Sequence, residues 1–332
     1  MERIVLVTGA TGAIGPCVVH ALHQAGYQIC AFSVDAPTVG IFPQNAKVLL
    51  GDVTDKAAVQ SAMDGADAIV HLAALLHIVN PPPELREKYE RINVGGTATV
   101  VDAAIKAGIK RVVLASTIAV YGHSKGRVLN EDSIVWPDTI YGQTKLAAEK
   151  IVLNARNTNG QPIGTVLRFG AVYGARIKGN YFRLVKALEH NRFIPIGKGN
   201  NRRTLVYDKD VARAILLAVQ HPLAAGKIFN VTDGQFHELR EIIDAISVSL
   251  GRKPPRISIP VGPVRFAVGI IEDTMRLIGS RSPINRETID KYTEDIAVEG
   301  RRIQEELGFV PQHDLASGWR ETIEDMRQTG DL

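Results

Sequence analysis

The sequence predicts an α/β fold: a doubly wound parallel sheet followed by a smaller, mainly helical C-terminal lobe. Three observations carry this. Short, continuously apolar runs alternate with helical patterns through the first half of the chain. A glycine-rich turn joins the first such run to the first helix. From about residue 175 the alternation gives way to helices joined by Pro- and Gly-rich loops such as "IPIGKGNN" and "GRKPPRISIPVG".

Strands are expected at 3–8, 28–33, 46–51, 67–72, 110–116 and 163–169, with helices near 13–25, 55–63, 85–107 and 141–157 between them. Runs that are apolar on both faces belong to parallel sheets covered by helices on each side. Helices are expected near 179–190, 208–220, 238–250, 262–278 and 301–307 in the second part. Residues 1–174 are read as a dinucleotide-binding domain and 175–332 as a substrate lobe, with segments near 203–207 and 227–231 returning to the main sheet.

Composition narrows the function classes. The 332 residues are 45% hydrophobic and 22% charged, as in ordinary globular chains. A net charge of +4 permits an anionic ligand, but no Lys/Arg run interleaved with aromatics points to nucleic acid. Cys17 and Cys30 lie in apolar stretches without metal-ligand spacing and read as buried thiols of a cytoplasmic protein. No leader peptide is visible, and no window approaches the roughly 20 apolar residues of a membrane span. The nearest, 261–279, is interrupted by Arg265, Glu272, Asp273 and Arg276. It reads as an amphipathic helix for core or partner packing rather than for membrane contact.

"VTGATGAIG" at 7–15 carries Gly9, Gly12 and Gly15. It follows a strand and opens a helix, the context that gives a glycine pattern its meaning. Gly9 permits a tight turn, Gly12 lets backbone approach a pyrophosphate, and Gly15 lets helix and strand pack closely. Thr11, Ala13 and Ile14 complete the cradle, and the helix N-terminus offers unpaired N–H groups to the anion. The sheet is therefore of Rossmann type.

The end of the second strand selects the nicotinamide cofactor. Ser33 stands where an acid is expected for the ribose, and Asp35 follows two residues later. No Lys or Arg occurs between Gly26 and Lys47, which favours NAD over NADP. Asp52 and Val53 are placed for the adenine. Leu72, Ala73 and Ala74 line the crevice where a dinucleotide crosses the sheet edge.

"TIYGQTKLAAEK" at 139–150 sets Tyr141 and Lys145 one helical turn apart. A free tyrosine, with a pKa near 10, is a poor base at neutral pH. A nearby ammonium lowers that pKa, and the oxidised nicotinamide ring adds a second positive charge. "LASTIAVYG" at 114–122 supplies a hydroxyl pair, Ser116 and Thr117, at a strand end, to orient a substrate alcohol. In this context Tyr-x-x-x-Lys reads as an acid–base device.

These motifs resemble the extended short-chain dehydrogenase/reductase family, in its nucleotide-sugar epimerase and ketoreductase branch. "INVGGT" (92–97), "LRFGAVYG" (167–174), "GNYFRLVKAL" (179–188), "NRRTLVYDKDVARAI" (201–215) and "EELGFVP" (305–311) extend the likeness over nearly the whole chain. The resemblance implies Tyr141 as base, Lys145 as its partner and a ribose ligand, and Thr117, with Ser116 beside it, as the assisting hydroxyl. It places Asn93 at the cofactor, and Asn180 and Arg203 at the substrate diphosphate. Asn180 alternatively caps its helix, Arg203 is alternatively a surface residue, and Asp210 is read as orienting. Ala171 replaces a frequent Asn, and Ile118 and Ala119 offer no acid, which disfavours dehydration and decarboxylation. The Pro-rich stretch 75–93 either sets substrate choice or is a rigid connection. The resemblance implies a homodimer through the helices near 85–107 and 141–157, and C4 epimerisation of a UDP-hexose. A UDP-sugar 4-ketoreductase of polysaccharide biosynthesis and a non-catalytic dinucleotide sensor are the alternatives.

Overall fold

A computed structural model describes residues 3–332 except 79–81, 83, 279, 281 and 283. In chain order the first half contains β1 (Ile4–Thr8), α1 (Gly15–Gln24), β2 (Gln28–Ser33), β3 (Lys47–Leu50), α2 (Lys56–Ala62), β4 (Ala68–His71), α3 (Leu85–Tyr89), α4 (Thr97–Lys106) and β5 (Arg111–Thr117). A π-helical segment, Glu90–Gly96, joins α3 to α4. The chain continues through β6 (Val128–Leu129), α5 (Ile140–Asn154), β7 (Gly164–Phe169), β8 (Ala171–Tyr173), α6 (Asn180–Glu189), β9 (Arg202–Arg203), β10 (Leu205–Tyr207), α7 (Asp208–Gln220) and β11 (Ile228–Val231). The last part holds β12 (His237–Glu238), α8 (Leu239–Ser249), α9 (Val261–Leu277), α10 (Arg286–Thr293), β13 (Ala297–Val298), α11 (Arg301–Leu307) and α12 (Leu315–Gln328).

The main sheet is parallel, in the order β11-β7-β5-β4-β1-β2-β3. Its direction of winding reverses between β1 and β4, the place where ligands bind at the carboxyl ends of strands. Alternate residues of each strand serve the two faces. Val5, Val7, Ile29 and Val113 pack with α1 and α7, while Leu6, Cys30, Val112 and Leu114 pack with α2, α4 and α5. After leaving the sheet at β7, the chain returns to its edge as β11. Strands β9 and β10 instead pair with β12 and β8 in small separate sheets. The lobe has its own core, in which Tyr173 stacks on Trp319, with Ile242, Ile246, Ile323 and Met326 around them.

Two helices of the lobe, α10 and α12, were not expected from the sequence. A third, α9, lies where an amphipathic helix was expected, but among its residues only Val268 and Gly269 are buried. Phe266, Ile270, Ile271 and Leu277 are exposed, so much of its apolar surface does not serve the core. The four residues 79–81 and 83 of the Pro-rich stretch lie outside the described residues.

Candidate active site

The glycine turn is built by close approach. Gly9 takes a positive φ of 69°, and a side chain there would sit 2.7 Å from the backbone nitrogen of Ala73. A Cβ on Gly15 would lie 2.0 Å from the Ala10 carbonyl oxygen, so helix α1 starts against the strand end. No side chain caps α1; the Gly15 N–H donates to the Gly12 carbonyl at 3.2 Å, and Pro16 has no N–H to satisfy. Ser33 is turned inward. Its hydroxyl accepts from the Thr11 N–H at 3.0 Å and braces the turn, while Asp35 is exposed beyond it. Asp52 folds its carboxylate onto the N–H and hydroxyl of Thr54, and Val53 is buried against Gly96. Leu72 donates its N–H to the Thr8 carbonyl, which holds the 72–74 segment beside the turn. These residues form a cradle of the kind a dinucleotide pyrophosphate fits.

A hydrogen-bonded line runs behind that cradle. The Thr8 hydroxyl and His71 Nδ1 are 2.7 Å apart, and His71 Nε2 lies 3.1 Å from Thr97 Oγ1. Thr97 donates to the Asn93 carbonyl. The Asn93 amide accepts from the Leu75 N–H at 2.7 Å and donates to the Leu75 carbonyl and to Thr144. Asn93 thus fixes the loop after β4. Burial, aided by the Lys145 charge, pushes the His71 pKa down to about 3, so this imidazole is neutral. Sequence reasoning did not single out His71; its signal was a polar residue ending an apolar strand.

Tyr141 and Lys145 sit in the first turns of α5. Thr139 caps this helix, its hydroxyl accepting from the Gly142 N–H at 3.1 Å. Gly142 lets α5 touch the 118–121 turn, because a Cβ there would lie 2.8 Å from the Ala119 carbonyl oxygen. That contact holds the start of α5 against the turn that follows Thr117. The Thr117 hydroxyl accepts from the Ala119 N–H at 3.1 Å and keeps its own proton to donate. The Tyr141 ring lies edge-on to His77 and Tyr89, with centroids at 5.9 and 6.5 Å.

The electrostatics differ from the expectation in one respect. Burial, with a smaller contribution from Tyr89, pushes the Tyr141 phenol up to about 12; Lys145 is not among the influences on it. Burial pushes Lys145 down to about 8 against the opposing pull of Glu149. Without cofactor, desolvation decides the direction of both shifts.

Two expected site residues, Ser116 and Arg203, are used otherwise. Adjacent strand residues face opposite sides, and Ser116 faces away from Thr117. It donates to Glu149 Oε1 at 2.5 Å. Glu149 is in turn gripped by Arg168 Nε and Nη2, the latter at 2.7 Å. Ser116 therefore belongs to a buried brace between α5 and the sheet, not to the cleft. Arg203 donates through Nη1 and Nη2 to the carbonyls of Glu294, Lys291 and Tyr292, so it caps the C-terminal end of α10. Those three bonds occupy the fork expected to hold a phosphate. Asn180 is exposed at the first position of α6; the capping position itself is Gly179. Asp210 is buried and accepts from the N–H groups of Gln312 and His313, an orienting role.

Comparison with known proteins agrees with this architecture. The profile described as "NAD dependent epimerase/dehydratase family" matches residues 5–232. An Escherichia coli O157:H7 protein, N-acetyl-alpha-D-glucosaminyl-diphospho-ditrans,octacis-undecaprenol 4-epimerase, is 25% identical over 326 residues, covering 98% of this chain and 95% of its own length. The UDP-glucose 4-epimerase of Vibrio cholerae is 24% identical over 330 residues, with coverages of 98% and 95%. The solved structure of MoeE5 in complex with UDP-glucose and NAD superposes with a TM-score of 0.76 at 27% identity, covering 98% of this chain and 99% of that one. With a profile that spans well over half of the chain and a fold shared end to end, this protein belongs to the NAD-dependent epimerase/dehydratase family.

Proposed function

We propose that the chain epimerises a UDP-hexose at C4 through a transient 4-keto sugar. The observation that supports this most is the close approach of Gly142 to the Ala119 carbonyl, which holds the helix bearing Tyr141 and Lys145 against the turn that follows Thr117. When bound, NAD supplies the hydride acceptor and donor. Tyr141 takes the proton from the 4-hydroxyl and later returns it. Thr117 donates to the same oxygen and orients it. Lys145 holds the phenolate by its charge. Ile118 and Ala119 supply no carboxylate, which fits a reaction that neither removes water nor decarboxylates.

The test is incubation of the purified protein, without added cofactor, with UDP-glucose and with UDP-N-acetylglucosamine. A stable mixture of C4 epimers is expected from one of them. No epimer from either, even with NAD added, would sink the reading. A second reading concerns the carrier of the sugar. With the Arg203 fork spent on α10, the phosphate contact expected of it does not select a nucleoside diphosphate over another diphosphate carrier. The Escherichia coli relative is named for such a sugar. Epimerisation of an N-acetylglucosaminyl polyprenyl diphosphate, but of neither UDP-sugar, would select it.

A further inference from the structure

Helix α9 carries more apolar surface than its packing against the protein uses. At about 100° per residue, Phe266, Ala267, Ile270, Ile271, Leu277 and Ile278 share one side, and no charged residue falls within their arc. That side faces solvent: Phe266, Leu277 and Ile278 are 73%, 87% and 70% exposed. The side toward the protein is also apolar, Val261, Val264, Val268 and Met275, and the charged residues lie on the flank between the two sides, largely exposed and paired. Arg265 binds Asp290 of α10, and Glu272 and Asp273 bind Arg286. An ordinary amphipathic surface helix turns a polar side, not a second apolar one, to solvent.

The segment leading into α9 carries the second observation. Residues 252–271 hold four cations, Arg252, Lys253, Arg256 and Arg265, and no acid. Arg252, Lys253 and Arg256 are exposed, and Ile257 projects among them, 78% exposed. The acids nearest on α9 and α10 are neutralised by Arg286, Arg265 and Lys291. An uncharged apolar face beside unopposed cations is complementary to an anionic lipid surface, in which the face enters the acyl boundary and the cations meet headgroups.

We propose that α9 and the 252–259 loop dock this protein on an anionic membrane surface. Helix α9 packs on α10, α10 is held by Arg203, and the charge of Lys291 on α10 reaches His77, which lies edge-on to Tyr141. The helix that carries the docking face is thus joined through α10 to the surroundings of His77 and Tyr141. The proposal needs neither reading of the sugar carrier.

The test is co-sedimentation of the full chain with phosphatidylcholine vesicles, with and without phosphatidylglycerol. Pelleting is expected with phosphatidylglycerol only, and it weakens as salt is raised. The paired substitution Phe266→Glu and Ile270→Glu is expected to reduce binding at least about tenfold, as is Lys253→Glu with Arg256→Glu. All four sites are solvent-exposed, and unchanged melting curves verify folding. No pelleting on anionic vesicles, or equal pelleting by the variants, overturns the proposal. So does a lipid-free dimer that F266E/I270E converts to monomer, since that assigns the face to a second copy. Sugar turnover by F266E/I270E without lipid is expected to equal that of the parent chain. Vesicle binding by a chain inactive on every sugar would count against the catalytic reading alone.

Discussion

At the residue scale, two neighbouring hydroxyls show how far a strand end separates roles. Ser116 and Thr117 are adjacent in sequence and were both candidates, yet only Thr117 keeps a proton toward the cleft. Thr117→Ala is expected to lower turnover by on the order of 10²-fold while leaving stability nearly unchanged. Ser116→Ala has the opposite profile: near-parental turnover and a loss of about 1.5–3 kcal/mol in urea unfolding, because a hydrogen bond to a buried carboxylate goes. The pair thus separates catalysis from bracing with two assays. The charges behave in the same local way. Tyr141 is pushed up to about 12 and Lys145 down to about 8 because both are buried. A positive nicotinamide ring reverses the balance for the phenol, so ultraviolet titration should show the Tyr141 pKa falling when NAD is added. An unmoved titration would remove Tyr141 as the base. For Lys145 the sign follows from proton counts. Below about pH 8 both folded and unfolded chains hold the proton. Between there and roughly pH 10.4 only the unfolded chain does, so stability rises with pH across that window. The urea midpoint of the cofactor-free protein should climb between those limits, and in Lys145→Met the climb should be absent.

At the element scale, the Glu149–Arg168 pair is the joint between α5 and β7. Both partners are nearly fully buried, and the carboxylate also takes the Ser116 hydroxyl. Breaking such a pair leaves an uncompensated buried charge. Glu149→Ala is therefore expected to cost about 3–5 kcal/mol in chemical denaturation. Because Lys145 lies one turn away on the same helix, turnover should fall with it. Unchanged stability would mean that α5 is held mainly by its apolar contacts. This joint was not legible in the sequence, since which cation meets Glu149 is decided by the β5–β7 register, Ser116 beside Arg168. The strands and helices of the first half were legible, because each apolar run is long, pure and bounded by turn residues. Helix α12 was not. Its inward residues are widely spaced, Trp319, Ile323 and Met326, among charges. The signal that would have found it is its capping box, Asp314 with Ser317. Arg203 is the complementary case: a cation is visible in a sequence, but the three α10 carbonyls that claim it are not.

At the scale of the whole molecule, the cofactor cradle draws on distant segments that only the completed sheet brings together. Gly9 touches Ala73, Thr11 leans on Ser33, and Val53 packs on Gly96. A ligand held by all of these binds the folded chain and not the unfolded one, so it raises stability by mass action. At about 100 times its dissociation constant the gain is about 2.7 kcal/mol, a rise of several degrees in melting temperature for a chain of this size. The same cradle distinguishes the two nicotinamide dinucleotides. Beyond β2 the only charge before Lys47 is the exposed carboxylate of Asp35, which accepts ribose hydroxyls and repels a 2′-phosphate. NAD should therefore shift the melting curve, and NADP at equal concentration should shift it less. Asp35→Ala should narrow the difference by weakening NAD more than NADP. An equal or larger shift with NADP would show that the 2′-phosphate is tolerated without a cation between Gly26 and Lys47. In that case the selectivity would have to come from elsewhere along the sheet edge.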